Sequence, residues 1–321
     1  MTLVHARAAG VETAEVVLED GTSLPFDRCV LAPGVAYRPD GLPGWSPDDE
    51  ELVPSAYVTG GDPERVREQV LALPEGGTFC LVAPPDPSRC PPAPYERVSM
   101  VAHLLSERNP TAKILIVDPK EGYAKQALFE EGWQAHYTGM IERLGPDFGT
   151  ETLEISPDNM EVLVDGEAEA ADAINVIPPQ QAGAIAFAAG VTDGSGWAPV
   201  EPTAMRSRLR PDCHVIGDAA MPGGIPKAAS SAISEARVVA ETVLAELAGG
   251  ALPDPRYTSA CWSAIAEGDS VTEETVYVPG PDGLVSESHR ISQTGEDAAR
   301  RRANWDDAFS WYANAIAEIF G

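Results

Sequence analysis

Pro211-Asp-Cys-His-Val-Ile-Gly-Asp-Ala219 is the stretch on which the fold turns. The apolar run through Cys213, Val215 and Ile216 predicts a buried strand, and Gly217-Asp218-Ala219 ends it with small residues around a carboxylate. A strand end of that form lets a cofactor approach closely and offers Asp218 to the ribityl hydroxyls of a flavin, so the segment points to redox chemistry. Beyond it, Ile233, Ala236, Ala240, Val243 and Leu247 recur at helical spacing and Gly249-Gly250 stops the pattern. That predicts a helix over Ala229 to Leu247 whose N-terminus is aimed at the same site. Nowhere does a strand run into Gly-x-Gly-x-x-Gly, the loop through which backbone approaches a pyrophosphate. The chain is therefore expected to carry the end of a flavin domain without its beginning.

Upstream, residues 11 to 31 alternate about Asp20-Gly21 and run into Cys29-Val-Leu-Ala-Pro-Gly34, a hairpin followed by a buried strand and a tight turn. Pro33 and Gly34 end that strand where such a domain passes near its cofactor. Pro, Gly and acids dominate Tyr37 to Gly61, a surface connection out of the first domain, and residues 64 to 71 suit a short helix. A βαβ unit follows: strand Thr78 to Ala83, helix Tyr95 to Arg108 with Val98, Val101, Ala102 and Leu105 on one face, and strand Lys113 to Val117. Its first turn, Ala83-Pro-Pro-Asp-Pro-Ser-Arg-Cys-Pro-Pro-Ala-Pro94, is rich in proline, which has no N–H for a phosphate and a ring that blocks close approach. The unit is expected to keep a dinucleotide fold that no longer takes NAD(P)H.

Leu153 to Val164 pairs two strands around Pro157-Asp-Asn159, and Ala173-Ile-Asn-Val-Ile177 is a further buried strand. Past Pro253-Asp-Pro255, a hairpin of Glu274 to Val278 with Leu284 to Ser288 and a helix over Trp305 to Phe320 make a last small unit. The fold class expected is α/β: two Rossmann-like dinucleotide-binding domains, the first incomplete, plus a small C-terminal α+β domain. Residues 1–60 are the remainder of the flavin domain, 61–190 the second dinucleotide-like domain, 191–252 the return to the flavin domain, and 253–321 the C-terminal domain.

Asp and Glu outnumber Lys and Arg by 50 to 22, a formal charge of −28, so the molecule's own field opposes nucleic acid and anionic lipid; such acidity commonly serves only solubility, and the alternative is steering of a basic partner such as a small electron carrier. No run of about 18 apolar residues spans a membrane, and residues 1 to 20 lack the pattern of a secretory signal. Cys29, Cys80, Cys90, Cys213 and Cys261 are scattered without a C-x-x-C pair or a His at ligand spacing, which argues against a zinc site. Cys29, Cys80 and Cys213 sit in apolar runs as core residues; Cys90 stands in a loop.

Ser88-Arg-Cys-Pro-Pro-Ala-Pro-Tyr-Glu-Arg97, Ile174-Asn-Val-Ile-Pro-Pro-Gln180, Gly196-Trp-Ala-Pro-Val200, His214-Val-Ile-Gly-Asp-Ala219 and Phe309-Ser-Trp-Tyr-Ala-Asn314 together, in that order, resemble the flavoprotein subunit of flavocytochrome c sulfide dehydrogenase. That family is related to the sulfide:quinone oxidoreductases. The resemblance covers nearly the whole chain. It implies FAD, a second domain without a nicotinamide site, a c-type cytochrome as partner, and the periplasm as location. It also implies a redox disulfide, with one cysteine at Cys90, a second in a Gly-Trp-Cys-Pro motif, and Glu96 as base. This chain has Ala198 at the second place, which implies that Cys90 acts without a partner there. Gln180 and Lys227 enter as cofactor contacts by the resemblance alone.

Physical chemistry gives each of these residues a plain alternative. Cys90 lies before a helix N-terminus beside Arg89 and Arg97, which favours a thiolate, against an ordinary loop cysteine. Glu96 falls in the first helical turn, where a carboxylate caps as readily as it takes a proton. Asp218 contacts a flavin or closes a turn. The function expected is FAD-dependent oxidation of sulfide or a related sulfur compound, with electrons passed to a c-type cytochrome. The alternatives are a truncated or degenerate homologue without turnover, favoured by Ala198 and the missing glycine loop, and quinone reduction at a membrane. An incomplete front end, with the first mononucleotide-binding half lost, accounts for the missing loop.

Overall fold

The computed structural model describes residues 2–57 and 63–321. Among them are six α-helices: α1 (Pro63–Leu71), α2 (Ala93–Arg108), α3 (Gln126–His136), α4 (Ala184–Ala188), α5 (Ala229–Ala248) and α6 (Ala298–Phe320). The chain divides into two compact units. The first comprises Met1–Ala36, Gln181–Ala260 and Glu274–Arg290, and the second comprises Tyr37–Gln180, Cys261–Glu273 and Ile291–Gly321. Sequence alone placed breaks after residues 60, 190 and 252. The first of these lies outside the described residues. The last differs because strands Tyr257–Ala266 and Asp269–Pro279, long members of one three-stranded sheet with Leu284–Ile291, contribute to both units.

The second unit is built on a parallel four-stranded sheet in the order Ala173–Val176, Thr78–Val82, Lys113–Val117, Ile141–Leu144. Its two central strands, Thr78–Val82 and Lys113–Val117, are apolar after their first residue because both faces are covered. Phe79, Leu81, Ile114 and Ile116 face Tyr95, Val98, Ala102 and Leu105 of α2 and Phe129 and Trp133 of α3. Cys80, Val82, Val117 and Val176 alternate to the other face, against Ile155, Val162 and Val164 of a three-stranded antiparallel sheet. The βαβ unit read from sequence is thus present, with α2 starting two residues earlier than its apolar pattern indicates. Helix α3 was not expected. Gly132 sits at its middle, where an added Cβ would lie 2.3 Å from Ile265 Cγ2, so the glycine that weakens the helical pattern is required for packing.

In the first unit, Cys213–Val215 pairs in parallel with Cys29–Leu31, and Arg206–Ser207 and Ala198–Glu201 extend the sheet. The strand ends in a turn at Gly217, φ +70°, and α5 follows. The buried face of α5 is Ser231, Ser234, Glu235, Val238, Val239 and Thr242. That corrects the expected stripe, since Ala240 is exposed and Leu247 is 57% exposed. The buried face is set by polar groups with defined partners: Ser234 Oγ accepts Thr258 N at 2.9 Å and Thr242 Oγ1 donates to Val238 O at 2.8 Å. Apolar periodicity therefore pointed at the neighbouring face.

Candidate active site

Strand Thr78–Val82 delivers the chain into the proline loop, residues 83–92, which holds Cys90 at φ +52°. A residue with a side chain keeps that left-handed backbone only where its surroundings fix it. Cys90 O accepts Ala93 N at 2.8 Å, so the loop turns directly into α2. The Cys90 side chain meets that of Cys261, on strand Tyr257–Ala266, and the two reduced thiols share a hydrogen bond.

Three groups surround the pair. Lys125 caps α3 at φ +62° and is buried, and its Nζ donates to Cys261 O at 3.0 Å and to Ser263 Oγ at 3.1 Å. Glu96 projects from the start of α2, where Oε1 accepts Ala264 N at 3.0 Å. The electrostatics are polarised. The hydrogen bond from Cys90 draws the Cys261 thiol down to about 6; burial opposes this, and Lys125 and Ser263 reinforce it. The same hydrogen bond, with burial, pushes Cys90 well above the ordinary thiol range. Burial lifts Glu96 to about 7, against the pull of the Ala264 N–H.

Two sequence expectations change here. Cys90 was expected to be the thiolate, lowered by Arg89 and Arg97. Those side chains are engaged elsewhere: Arg97 lies 5.1 Å over the Tyr57 ring and Arg89 Nη1 donates to Tyr57 O at 3.1 Å. Cys261 carries the lowered pKa instead. Ala198, at the place of the family's second cysteine, implied a Cys90 without a partner, whereas the sulfur beside Cys90 is that of Cys261. Sequence reasoning missed Cys261, Lys125 and Ser263. The available signal was the alternating Tyr257-Thr-Ser-Ala-Cys-Trp-Ser-Ala-Ile-Ala266, a strand pattern that places a cysteine in neither an apolar run nor a turn.

Gln180 is buried at 3% exposure; its Oε1 accepts Arg89 N at 2.7 Å and its Nε2 has no partner among the described residues. In the first unit, Gly217, Asp218 and Ala219 form the turn at the strand end. Glu235 and Lys227 hold that turn from beneath. Glu235 Oε2 accepts Gly217 N at 2.5 Å. Lys227 Nζ donates to Asp218 O at 2.7 Å and Ala220 O at 2.9 Å, and lies 3.9 Å from the Trp197 ring centroid. Burial pushes Glu235 up to about 8 and Lys227 down to about 8. Lys227 thus braces the turn. Gly34 O accepts Gly183 N at 2.9 Å, and a Cβ on Gly183 would lie 2.4 Å from Pro33 O, so Pro33-Gly34 and Gly183 are packed backbone to backbone.

This strand end fits a flavin. Among the described residues, helix α5 opens with no side-chain cap, and Ser231 in its first turn is buried with no partner for Oγ. A helix N-terminus and a buried hydroxyl in that condition suit the electron-rich edge of a bound cofactor.

The second strand of the parallel sheet ends in a buried acid with three side-chain partners. Asp118 follows strand Lys113–Val117, where a dinucleotide fold places the acid that holds ribose. Here it is fully buried, receiving Tyr95 Oη at 2.6 Å and Arg143 Nε at 2.9 Å, with Lys120 Nζ at 2.7 Å. Tyr123 stacks on Tyr95 at 3.6 Å. Burial alone would raise the Asp118 pKa; Lys120 and the hydrogen bonds outweigh it and hold the carboxyl below its usual range.

A dinucleotide-type α/β fold, a dithiol beside a buried acid, and a flavin-type strand end define a flavin-dependent oxidoreductase of the disulfide-reductase kind. Two family models match, "Sulfide dehydrogenase (flavocytochrome c) flavoprotein chain, central" over residues 64–178 and "Flavocytochrome c sulphide dehydrogenase, flavin-binding" over residues 253–320. The chain belongs to this family of flavoproteins, whose cofactor is FAD. In fold it is similar to the sulfide:quinone oxidoreductase of the hyperthermophilic bacterium Aquifex aeolicus, at 17% identity over 99% of this chain and 79% of that one, with a TM-score of 0.71. A ferredoxin reductase for the CYP199A2 system from Rhodopseudomonas palustris matches at 16% identity over 85% of this chain and 64% of that one, TM-score 0.58. An NAD-dependent persulfide reductase from A. fulgidus matches at 13% identity over 94% of this chain and 61% of that one, TM-score 0.54.

Proposed function

We propose that this flavoprotein oxidises sulfide, or a closely related sulfur species, at a Cys90–Cys261 disulfide and passes the electrons through FAD to a c-type cytochrome in the periplasm. The observation that carries this is the contact between the two thiols, with Lys125 on one side and Glu96 on the other. Glu96, lifted to about 7, takes the proton from hydrogen sulfide near neutral pH. The resulting HS⁻ attacks the Cys90 sulfur: a new S–S bond forms, the Cys90–Cys261 bond breaks, and its electron pair stays on Cys261 as thiolate. The direction is supported by Lys125 and Ser263, which flank Cys261 and stabilise the thiolate that leaves. FAD, when bound, would supply the acceptor for the electron pair released when the Cys261 thiolate joins the outer sulfur of the Cys90 persulfide with loss of its proton, and would pass that pair on one electron at a time. Asp218, Ala219 and the first turn of α5 would hold it, with Pro33, Gly34 and Gln180 as further contacts.

NAD(P)H has no part in this scheme, a reading supported by the proline loop and by the buried Asp118 network. Anaerobic titration with sulfide tests the proposal. Stoichiometric bleaching of the flavin band is expected, and no bleaching rejects the sulfide role. A quinone acceptor is the second reading, favoured by Phe309, Tyr312, Ile319 and Phe320, which are all exposed on α6. Among the described residues no helix is long and apolar enough to cross a membrane. Flotation with vesicles separates the two readings: comigration with lipid favours the quinone.

A further inference from the structure

A second pair of cysteines meets in the first unit, away from the candidate active site. Cys29 and Cys213 stand directly opposite each other in neighbouring parallel strands, Cys29–Leu31 at the end of the five-stranded sheet and Cys213–Val215 inside it. Directly opposed residues turn their side chains to the same face, and their strands lie about 4.8 Å apart. That spacing falls inside the range over which two cysteine Cα atoms are bridged, about 4.4–6.8 Å. Both thiols are reduced, share a hydrogen bond and belong to one apolar core, at 6% and 0% exposure. The third core cysteine, Cys80, faces Ile174 and Leu115 instead. Arg210 bears on the pair, its guanidinium held by Ala189 O at 2.9 Å and Asp212 Oδ2 at 2.7 Å. The hydrogen bond from Cys213 draws the Cys29 thiol down; burial and Asp212 oppose this and Arg210 adds to it, so Cys29 is the sulfur that reacts first.

We propose that Cys29 and Cys213 close into a second disulfide, which ties the end strand of the first unit to the strand that carries the flavin-type turn. The oxidant is itself a disulfide, RSSR. Cys29 as thiolate attacks one of its sulfurs, a Cys29–SR bond forms and the first RS⁻ leaves. Cys213 then gives up its proton and attacks the Cys29 sulfur; the Cys29–Cys213 bond forms, the Cys29–SR bond breaks and the second RS⁻ leaves. The two cysteines lose two electrons, RSSR gains them, and the two thiol protons end on two RSH. The end strand is three residues long and Val30 at its centre is 45% exposed, so the exchange takes place while this strand is undocked and not in the closed protein. Both strands lead to the backbone that fits a cofactor, one into Pro33-Gly34 and the other into Gly217-Asp218-Ala219. The bond therefore fixes those two segments at their base. It is independent of the sulfide reaction, and an oxidising compartment of the kind proposed above would supply RSSR.

Reduced holoprotein is held with oxidised glutathione in urea below the unfolding transition, where the end strand opens, then unfolded and alkylated with iodoacetamide for non-reducing peptide maps. A peptide joining Cys29 to Cys213 is expected to accumulate while Cys80, equally buried but without a facing sulfur, is alkylated in full. Without urea both cysteines should stay thiols. Cys29 and Cys213 alkylated as fully as Cys80 after the urea treatment overturns the proposal, and so does glutathione left on Cys29 beside a free Cys213, since the two sulfurs then cannot close. The clamp is read in denaturant unfolding. Oxidation should lower the unfolding equilibrium constant of the unaltered protein by at least about thirtyfold more than that of Cys29→Ala, the lower end of what a native disulfide contributes. The Cys90–Cys261 bond forms in both proteins and cancels from the comparison. An equal gain on oxidation in the two proteins overturns the clamp. Neither readout uses sulfide, so each stands or falls whatever the flavin titration shows.

Discussion

Removing the Cys90 thiol should make Cys261 less acidic, because the largest single influence holding the Cys261 thiolate is the hydrogen bond from Cys90. A hydrogen bond to an ionised group contributes about 1.5–3 kcal/mol. A thiol is a weak donor, so the lower end applies. At about 1.36 kcal/mol per pK unit, Cys90→Ala should move the Cys261 midpoint up by about one unit, from about 6 to about 7. The thiolate fraction at pH 6.5 then falls from about three quarters to about one quarter, a threefold loss of reactivity. The assay is iodoacetamide labelling of anaerobically reduced protein across pH 5 to 9, with Cys261 read by peptide mass spectrometry. The sign is fixed: labelling rises as pH climbs through the midpoint, so the variant's curve lies to the alkaline side. Cys90→Ser, which keeps a hydroxyl donor, should fall between the two. A Cys90→Ala midpoint still at 6, or low-pH labelling on Cys90 in the unaltered protein, would refute the polarised dithiol.

Lys125→Met should shift the same curve in the same direction while leaving FAD content unchanged, which separates an electrostatic role from collapse of the fold. Mild oxidation should join Cys90 to Cys261 in non-reducing peptide maps, with Cys29, Cys80 and Cys213 alkylated only after unfolding, since those three are buried. Asp118→Asn should cost about 3–5 kcal/mol in denaturant unfolding, because it leaves Arg143 and Lys120 without their buried counter-charge. In the unaltered protein that stabilisation should be present above the ordinary Asp pKa and be lost as pH falls through the lowered folded value. Glu235 runs the opposite way: its pKa is raised on folding, so stability should decline as pH rises from the unfolded carboxyl pKa toward about 8. Glu235→Gln should therefore melt higher than the unaltered protein at pH 8 and near it at pH 5; equal melting curves at pH 8 would show that the carboxyl is not strained.

The parallel core was legible because its cues are local. Four apolar residues in a row, bounded by glycine or proline, mark Thr78–Val82 and Lys113–Val117, and α2 shows a clean stripe because its buried face is aliphatic. Helix α5 was legible in extent but not in orientation, since Ser231, Ser234, Glu235 and Thr242 occupy the face turned inward and hydropathy counts them as outward. Cys90 and Glu96 were reached through the resemblance of Cys90-Pro-Pro-Ala-Pro-Tyr-Glu96 to a family motif, since by position alone Glu96 reads as a helix cap. Cys261 did not, because it is far from Cys90 in sequence and only the strand Tyr257–Ala266 brings the two together. Lys125 was equally silent. Its role depends on a left-handed backbone at the cap of α3, which no hydropathy pattern records.

Two features of the second unit meet at one loop. A glycine-rich turn after the first strand works by leaving backbone N–H groups open to a phosphate. Filling that turn with proline removes those donors and stiffens the segment. A stiff loop is what holds Cys90 in a left-handed conformation facing Cys261 without a glycine's freedom. At the end of the next strand, Asp118 is satisfied by Tyr95 from the helix that the loop introduces, by Lys120 and by Arg143. Tyr95 stands five residues after Cys90 and one before Glu96, so the contact that satisfies Asp118 also fixes the first turn of α2, from which Glu96 bonds Ala264 N. The loop and the buried acid are thus tied through the same turn of α2. Replacing the loop prolines with glycine should loosen Cys90 without giving the protein affinity for a dinucleotide.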